Sequence, residues 1–286
     1  MEKLQRMIDS IEYIESNLDE ELAIEEIAKN AFMSKFHFQR MFSMLTGYTV
    51  SEYIRNRRIT KAAQELVNSN RKIIDIALKY GYESPEAFTK AFRAIHGVTP
   101  SAAKKNSQSL KAYPKLSFQI QIKGDVEMDY KIVGKESFKV IGKSIQTSTL
   151  GGENNRKIAS FWKEVNSNGF VEELEKDCGS LGILGICMEY DHKLENLTYL
   201  IAAEKNKEQV PDGLEEREIP AATWAVFPVI GAMPDAMPRT WKRIFSEWFP
   251  ATGYEHAGGP EMEVYSSNGD PSSEDYYSEI WIPIKK

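Results

Sequence analysis

MSKFHFQRMFSMLTGYTVS, residues 33–51, and ESPEAFTKAFRAIHGVTPS, residues 83–101, are two copies of one pattern set 50 residues apart. Ser34, Phe38, Phe42, Gly47, Thr49 and Ser51 recur as Ser84, Phe88, Phe92, Gly97, Thr99 and Ser101. The apolar stripe Phe38/Met41/Phe42/Leu45 has its counterpart in Phe88/Ala91/Phe92/Ile95. Serine opens each helix as a good N-cap, and Pro85 takes the first helical position, where its missing N–H costs nothing. Gly47 and Gly97 follow the last apolar residue, where a left-handed C-terminal cap favours glycine. Upstream, Ile24-x-x-Ile27-Ala28 and Ile73-x-x-Ile76-Ala77 mark a short helix before each copy; their offset of 49 makes the second turn one residue longer. Each unit therefore reads as a helix, a tight turn and a second helix. One defect is visible, since Ala23 offers no side-chain cap to the first short helix.

Around the repeat, Leu4, Met7, Ile8, Ile11, Ile14 and Leu18 fall at helical spacing. Thr49-Val50-Ser51-Glu52 has the form of a capping box ahead of a long helix near 51–67, whose apolar face is Ile59, Ala62, Ala63, Leu66 and Val67. Charge is unevenly spread. The 286-residue chain carries −6 overall, yet residues 30–110 hold 13 Lys/Arg against 5 Asp/Glu. A basic block in an acidic protein implies a localised polyanion-binding face. With the Phe stripes buried, the second helices turn outward Lys35, Phe36, Gln39, Arg40 and Ser43 in one copy, and Glu86, Ala87, Thr89, Lys90 and Arg93 in the other. Arginine suits guanine, glutamine adenine, and Phe or Ala a thymine methyl. Arg55, Arg57, Arg58, Arg71 and Lys72 lie on or beside the connecting helix and are expected at phosphates, setting affinity and its salt dependence. The competing reading is a helical bundle with a solvated basic face.

The stretch SAAKKNSQSLKAYPK (101–115) reads as a solvated linker. Beyond it the texture changes. Phe118/Ile120/Ile122 alternate, and strand-like runs follow in LGILGICMEY (181–190), LTYLIAA (197–203), ATWAVFPVI (222–230) and EIWIPI (279–284). Two helical patterns interrupt them, Ile158/Phe161/Trp162/Val165 and Trp241/Ile244/Phe245/Trp248, which predicts an antiparallel α+β domain with an aromatic core. In the last strand, alternation puts Tyr277, Glu279 and Trp281 on one face. A carboxylate flanked by rings suits an organic cation; a solvent-facing polar strand face is the alternative. Trp162 and Trp224 are further lining candidates, with a core role equally open. Cys178 and Cys187 read as two reduced thiols. The N-terminus is no signal peptide, and no apolar run approaches a membrane span of about 18 residues. No His-Glu-x-x-His, Cys-x-x-Cys or Gly-x-Ser-x-Gly motif is present, and Gly142-Lys143-Ser144 fails as a phosphate loop because Ser137 stands where its glycine is required.

MSKFHFQRMFSMLTGYTVSEYIRNRRI and IALKYGYESPEAFTKAFRAIHGVTPS resemble the AraC/XylS family DNA-binding domain, and the resemblance extends over residues 1–105. It implies two helix-turn-helix units joined by the long helix, reading successive major grooves about 34 Å apart. It also implies base contacts from Phe36, Gln39 and Arg40 and from Glu86, Ala87 and Lys90, and a non-palindromic site. MDYKIVGKESFKVIGKSI, IPAATWAVFPVIG and EIWIPI resemble the GyrI-like effector-binding domain. That implies a pseudo-duplicated βαββ fold around a cleft for small apolar or cationic molecules, with Glu279 as the ligand-facing acid.

The expected organisation is an all-α DNA-binding domain (1–107), a linker (108–125) and a GyrI-like effector-binding domain (126–286). The expected protein is a cytoplasmic, ligand-responsive transcription regulator without cofactor or metal, whose partners are double-stranded DNA, a small-molecule effector and RNA polymerase. Two other readings remain: a GyrI-like hydrolase of reactive small molecules using Glu279 as general base, and a purely structural nucleic-acid organiser.

Overall fold

The computed structural model describes residues 2–105, 110–117, 127–176, 179–191, 195–206, 210–267 and 269–286. Cys178, His192 and the Phe118/Ile120/Ile122 alternation lie outside them. The chain divides into two compact units, Met1–Ile122 and Lys123–Lys286.

The first unit is helical: α1 (Glu2–Ser16), α2 (Ile24–Asn30), α3 (Lys35–Thr46), α4 (Val50–Asn68), α5 (Ile73–Lys79), α6 (Pro85–His96) and α7 (Pro100–Lys105). The caps read from sequence are formed. Ser34 accepts from the His37 amide, Ser84 from Ala87 and Thr49 from Glu52, each contributing about 1 kcal/mol. Gly47 and Gly97 close α3 and α6 at φ 76° and 77°. The two phenylalanine pairs occupy matching settings. Phe38, Phe42, Phe88 and Phe92 are all fully buried, with ring centroids 6.0 Å apart in the first copy and 5.6 Å in the second. Phe42 packs on Tyr53 of α4, while Phe88 and Phe92 pack with Ile59, Ala62, Ala63 and Leu66 further along the same helix. Helix α4 is therefore the common wall of both helix-turn-helix units. The left-handed turn position falls to Phe32 (φ 53°) in the first copy and Gly81 (φ 78°) in the second.

Residues 110–116 are largely exposed, as a solvated linker should be, but they are also bonded to the helical unit. Tyr113 donates its amide to Thr60 Oγ1 (3.0 Å) and accepts from Arg57, Leu116 donates to the Tyr53 hydroxyl (3.3 Å), and Lys115 pairs with Glu12. Composition predicts solvation, but it does not reveal that α4 presents buried donors and acceptors along its flank.

The second unit is one antiparallel sheet with helices. Its elements are β1 (Lys131–Lys135), β2 (Phe138–Ser148), α8 (Glu153–Ser167), α9 (Phe170–Glu175), β3 (Ile183–Asp191), β4 (Asn196–Glu204), β5 (Glu215–Ile219), β6 (Ala222–Ile230), α10 (Ala236–Arg243), β7 (Glu255–His256), β8 (Glu261–Tyr265) and β9 (Tyr277–Lys285). Helix α10 runs on through a π-helical turn, Ile244–Trp248. Strand order is β1-β6-β9-β8-β3-β4-β2-β5, with β7 added to β9. Two halves of the same form follow, β2-α8-β3-β4 and β6-α10-β8-β9. In each, the first strand pairs with the last and the last with the middle. The halves meet at the β3·β8 pair, where Gly185 lies opposite Glu263. Alternation sorts the side chains. Leu184, Ile186, Leu200, Trp224, Val226, Met262 and Trp281 form a core on one face. Ile183, Tyr199, Ile201, Phe161 and Val165 belong to a second core on the other, which α8 covers.

Candidate functional site

On the helical unit, Lys35, Glu86, Ala87, Lys90 and Arg93 are exposed, and Phe36, Arg40, Ser43, Arg55 and Thr89 are partly so. Glu86, Thr89, Lys90 and Arg93 line one concavity of about 630 Å³ together with Pro85, Ala94 and Thr99. Lys35 pairs with Glu25 at 2.5 Å in an exposed contact that adds little to stability. Gln39, expected on the outward face, is only 8% exposed, and its Oε1 lacks a hydrogen-bond partner among the described residues.

Two arginines correct the phosphate assignment. Arg57 is buried and holds Glu15 in a two-pronged ion pair, Nε to Oε1 and Nη2 to Oε2, both 2.7 Å; the Tyr53 hydroxyl donates to the same carboxylate at 2.7 Å. Burial alone would raise the Glu15 carboxyl, but the Arg57 and Tyr53 donors outweigh it and hold the group below the usual carboxylate range. Arg58 spends its donors on the carbonyls of Leu18 (2.8 Å) and Glu20 (2.5 Å), and its Nη1 lies against Gly81, where a Cβ would approach to 2.9 Å. One side chain thus bonds the approach to the first helix-turn-helix and lies beside the turn of the second. On the sequence both look like surface cations; only the placing of α1 and of the residues that follow it beside α4 shows otherwise.

In the sheet unit, the structure does not gather the five effector candidates. Tyr277, Glu279 and Trp281 share one face, as alternation predicts, and Glu279 there takes hydrogen bonds from Tyr277 (2.7 Å), Trp281 Nε1 (2.7 Å) and Lys131 (2.9 Å). The Lys131 ammonium already neutralises it. Trp224 is fully buried against Trp281 on the same face, its Nε1 without a partner among the described residues. Trp162 belongs to the opposite face, 2.8 Å from the Tyr199 hydroxyl.

That opposite face carries the acid that the sequence reading missed. Glu263 on β8 is partly buried. Trp241 Nε1 from α10 donates to Oε1 (2.8 Å), and the hydroxyls of Tyr265 (2.8 Å) and Tyr199 (3.3 Å) donate to Oε2. Each helix supplies a tryptophan: Trp241 directly, and Trp162 of α8 through Tyr199. Burial raises the Glu263 carboxyl above its ordinary value; the Trp241, Tyr265 and Tyr199 donors oppose that, and the charge of Glu261 adds to it. The tyrosines are in turn pushed up by burial and by the glutamate charge. Neighbouring Glu261 is buried and accepts from Tyr190 (3.1 Å) and from His256 (2.9 Å). The Gly258 amide donates to His256 Nδ1 (3.0 Å), so the ring proton is assigned to Nε2 and the imidazole is neutral. Among the described residues, every hydrogen-bond partner of Glu263 is uncharged.

The signal available in sequence was the period-two run Glu261-x-Glu263-x-Tyr265, two acids and a phenol on one strand face. It reads as a solvated edge unless Tyr199, Trp162 and Trp241 are known to converge on it.

Comparison with known proteins accords with both units. Residues 131–284, just over half of the chain, match the family described as integron-associated effector binding protein, and residues 27–106 match a helix-turn-helix domain family. The chain is 45% identical over 98 residues to the transposon Tn10 TetD protein of Escherichia coli, spanning 34% of this chain and 71% of that protein. It is 45% identical over 89 residues to the HTH-type transcriptional activator AarP of Providencia stuartii (31% and 66%). It is 39% identical over 90 residues to the multiple antibiotic resistance protein MarA of Salmonella typhimurium (32% and 71%). The solved structure of SAV2435 bound to tetraphenylphosphonium covers 55% of this chain and 94% of its own, with a TM-score of 0.50 at 24% identity, a likeness of fold alone. The chain belongs to the AraC-type helix-turn-helix DNA-binding regulators, here with a C-terminal effector-binding unit of the integron-associated, GyrI-like family.

Proposed function

We propose that the sheet unit senses a small organic cation through Glu263, and that its occupancy alters how the helical unit regulates transcription. One observation carries the reading: a partly buried carboxylate held by Trp241, Tyr199 and Tyr265 has no cationic partner among the described residues. A desolvated anion walled by aromatic rings gains most from a ligand that brings charge without needing hydration. Glu279, neutralised by Lys131, offers less. Tetraphenylphosphonium, the ligand of SAV2435, is the natural probe.

On this reading residues 1–107 are the DNA reader, 108–125 the connector and 126–286 the sensor. Phe36 and Arg40 contact bases in one groove, and Glu86, Ala87, Thr89, Lys90 and Arg93 face the next, with Arg55 at phosphate. The protein acts in the cytoplasm, and its output passes to RNA polymerase. Its sensor binds and does not turn over its ligand. Binding shifts a two-state equilibrium through differential affinity. Anisotropy titration tests the DNA half: Arg40→Ala weakens site-specific duplex binding by about 1–3 kcal/mol, and equal affinity for random duplex refutes it. Titration of tryptophan emission with tetraphenylphosphonium tests the sensor half, and an unchanged spectrum at millimolar probe refutes it.

A further inference from the structure

Gly185 sits in the middle of β3, where glycine weakens a strand and marks a close approach. Its partners are Ile201 on β4 and Glu263 on β8, and Cys187, two residues on, lies opposite Tyr199. The Tyr199 side chain therefore has to pass diagonally over β3 to bring its hydroxyl to Glu263. A Cβ built at Gly185 would lie 2.2 Å from Tyr199 Oη, 3.1 Å from its Cζ and 3.2 Å from Glu263 Oε2. The first distance is impossible for real atoms, and Tyr199 is 1% exposed, so its ring has no room to withdraw.

We infer that Gly185 is a positioning residue of the Glu263 site: its missing side chain opens the passage through which Tyr199 crosses β3, and so lets α8 and α10 grip one carboxylate. Trp162 holds the Tyr199 hydroxyl at 2.8 Å and Trp241 holds the other oxygen at 2.8 Å. With any larger residue at 185, the Tyr199 hydroxyl leaves Glu263 and α8 loses its connection to the charge. Among the described residues, the titratable groups around Glu263 are Tyr199 on β4, with Cys187 of β3 beside that tyrosine, and Glu261 and Tyr265 on β8; His256 reaches Glu261 and not Glu263, and its Nδ1 accepts from the Gly258 amide. Removing the Tyr199 donor therefore raises the glutamate further, and cation binding fails at a higher pH than in the wild type.

This deepens the cation-sensing proposal and rests on it for its ligand readout, but the geometry can be tested without ligand. The full chain is compared as wild type, Gly185→Ala, Tyr199→Phe and the double variant. Thermal unfolding of the Gly185→Ala sheet unit falls by about 4–8 °C through overpacking. The double variant recovers most of that, because phenylalanine removes the atom that would sit at 2.2 Å. Tetraphenylphosphonium binding, followed by tryptophan emission, weakens about tenfold in Gly185→Ala, and the double variant matches Tyr199→Phe within about twofold. In all three variants the acid limb of binding moves to higher pH, a shift that a packing defect alone does not produce. Additive thermal losses in the double variant, or wild-type affinity and acid limb in Gly185→Ala, overturn the inference. A wild-type protein that ignores tetraphenylphosphonium overturns the cation reading instead, and the thermal cycle then decides the role of Gly185 by itself.

Discussion

Glu263→Gln replaces a partly buried charge by a neutral group of the same shape, and its consequences for binding and stability point in opposite directions. A monovalent cation centred about 5 Å from the carboxylate gains about 3 kcal/mol at an effective dielectric of ~20, so the substitution weakens Kd roughly two-hundredfold. Trp162, Tyr199, Trp241 and Tyr265 remain as walls, so binding is weakened and not abolished. Stability moves the other way. Burial holds the folded Glu263 carboxyl above its ordinary value of 4.5. The folded state therefore favours the protonated form, and ionisation costs stability as pH rises through the folded pKa. Glutamine bears no such cost. Glu263→Gln should unfold at a higher temperature than wild type at pH 7, with the difference fading below pH 4.5, where both side chains are neutral. Tetraphenylphosphonium titrations of tryptophan emission and thermal scans from pH 4 to 8 measure the two effects on one sample. A variant that binds within threefold of wild type, or that is less stable at pH 7 and stays so at pH 4, refutes the reasoning. A simple folding defect cannot mimic loss of ligand with gain of stability.

Other outcomes follow from the helical unit. Glu15→Gln leaves the Arg57 guanidinium buried without its counter-charge and costs about 3–5 kcal/mol in urea unfolding. In the wild type the lowered Glu15 carboxyl contributes stability that is present above pH 4.5 and lost as pH falls through its folded value, so the variant's deficit is largest near neutral pH and narrows on acidification. Phe88→Ala, at a fully buried ring packed on Phe92 and α4, costs about 3–5 kcal/mol and melts the second reader first, visible as early amide exchange in α5 and α6. Lys90→Ala reduces the slope of log K against log salt for duplex binding by about 1 if it meets a phosphate, whereas an unchanged slope with altered base preference moves it to a base edge.

The helical unit was largely legible because its signals are local. Serine caps, glycine stops and phenylalanine stripes act within four or five residues, and the 50-residue duplication states each of them twice. The inward roles of Arg57 and Arg58 were not legible, since their partners Glu15, Leu18 and Glu20 lie about 40 residues away and the side chains look like every other surface cation. The docking of Tyr113 and Leu116 escaped for the same reason: main-chain hydrogen bonding leaves no mark on composition. In the sheet unit, alternation correctly placed Tyr277, Glu279 and Trp281 on one face, and it could say nothing about which face two helices would cover. Glu263 draws its partners from β4, α10 and its own strand, up to 64 residues apart in sequence, so its role emerges only once the sheet order is known.

The hold of Arg58 on Leu18, Glu20 and the Gly81 turn has a consequence for the operator. Arg58 of α4 bonds the chain that leads into the first helix-turn-helix and lies beside the turn of the second, so both are referenced to one helix and a mismatch in spacing is expected to fall mainly on the duplex. Inserting one base pair between half-boxes turns the second by about 34° around the axis and lengthens the spacer by ~3.4 Å. Promoters served by this protein should therefore keep a fixed gap between their two boxes even where the boxes themselves drift.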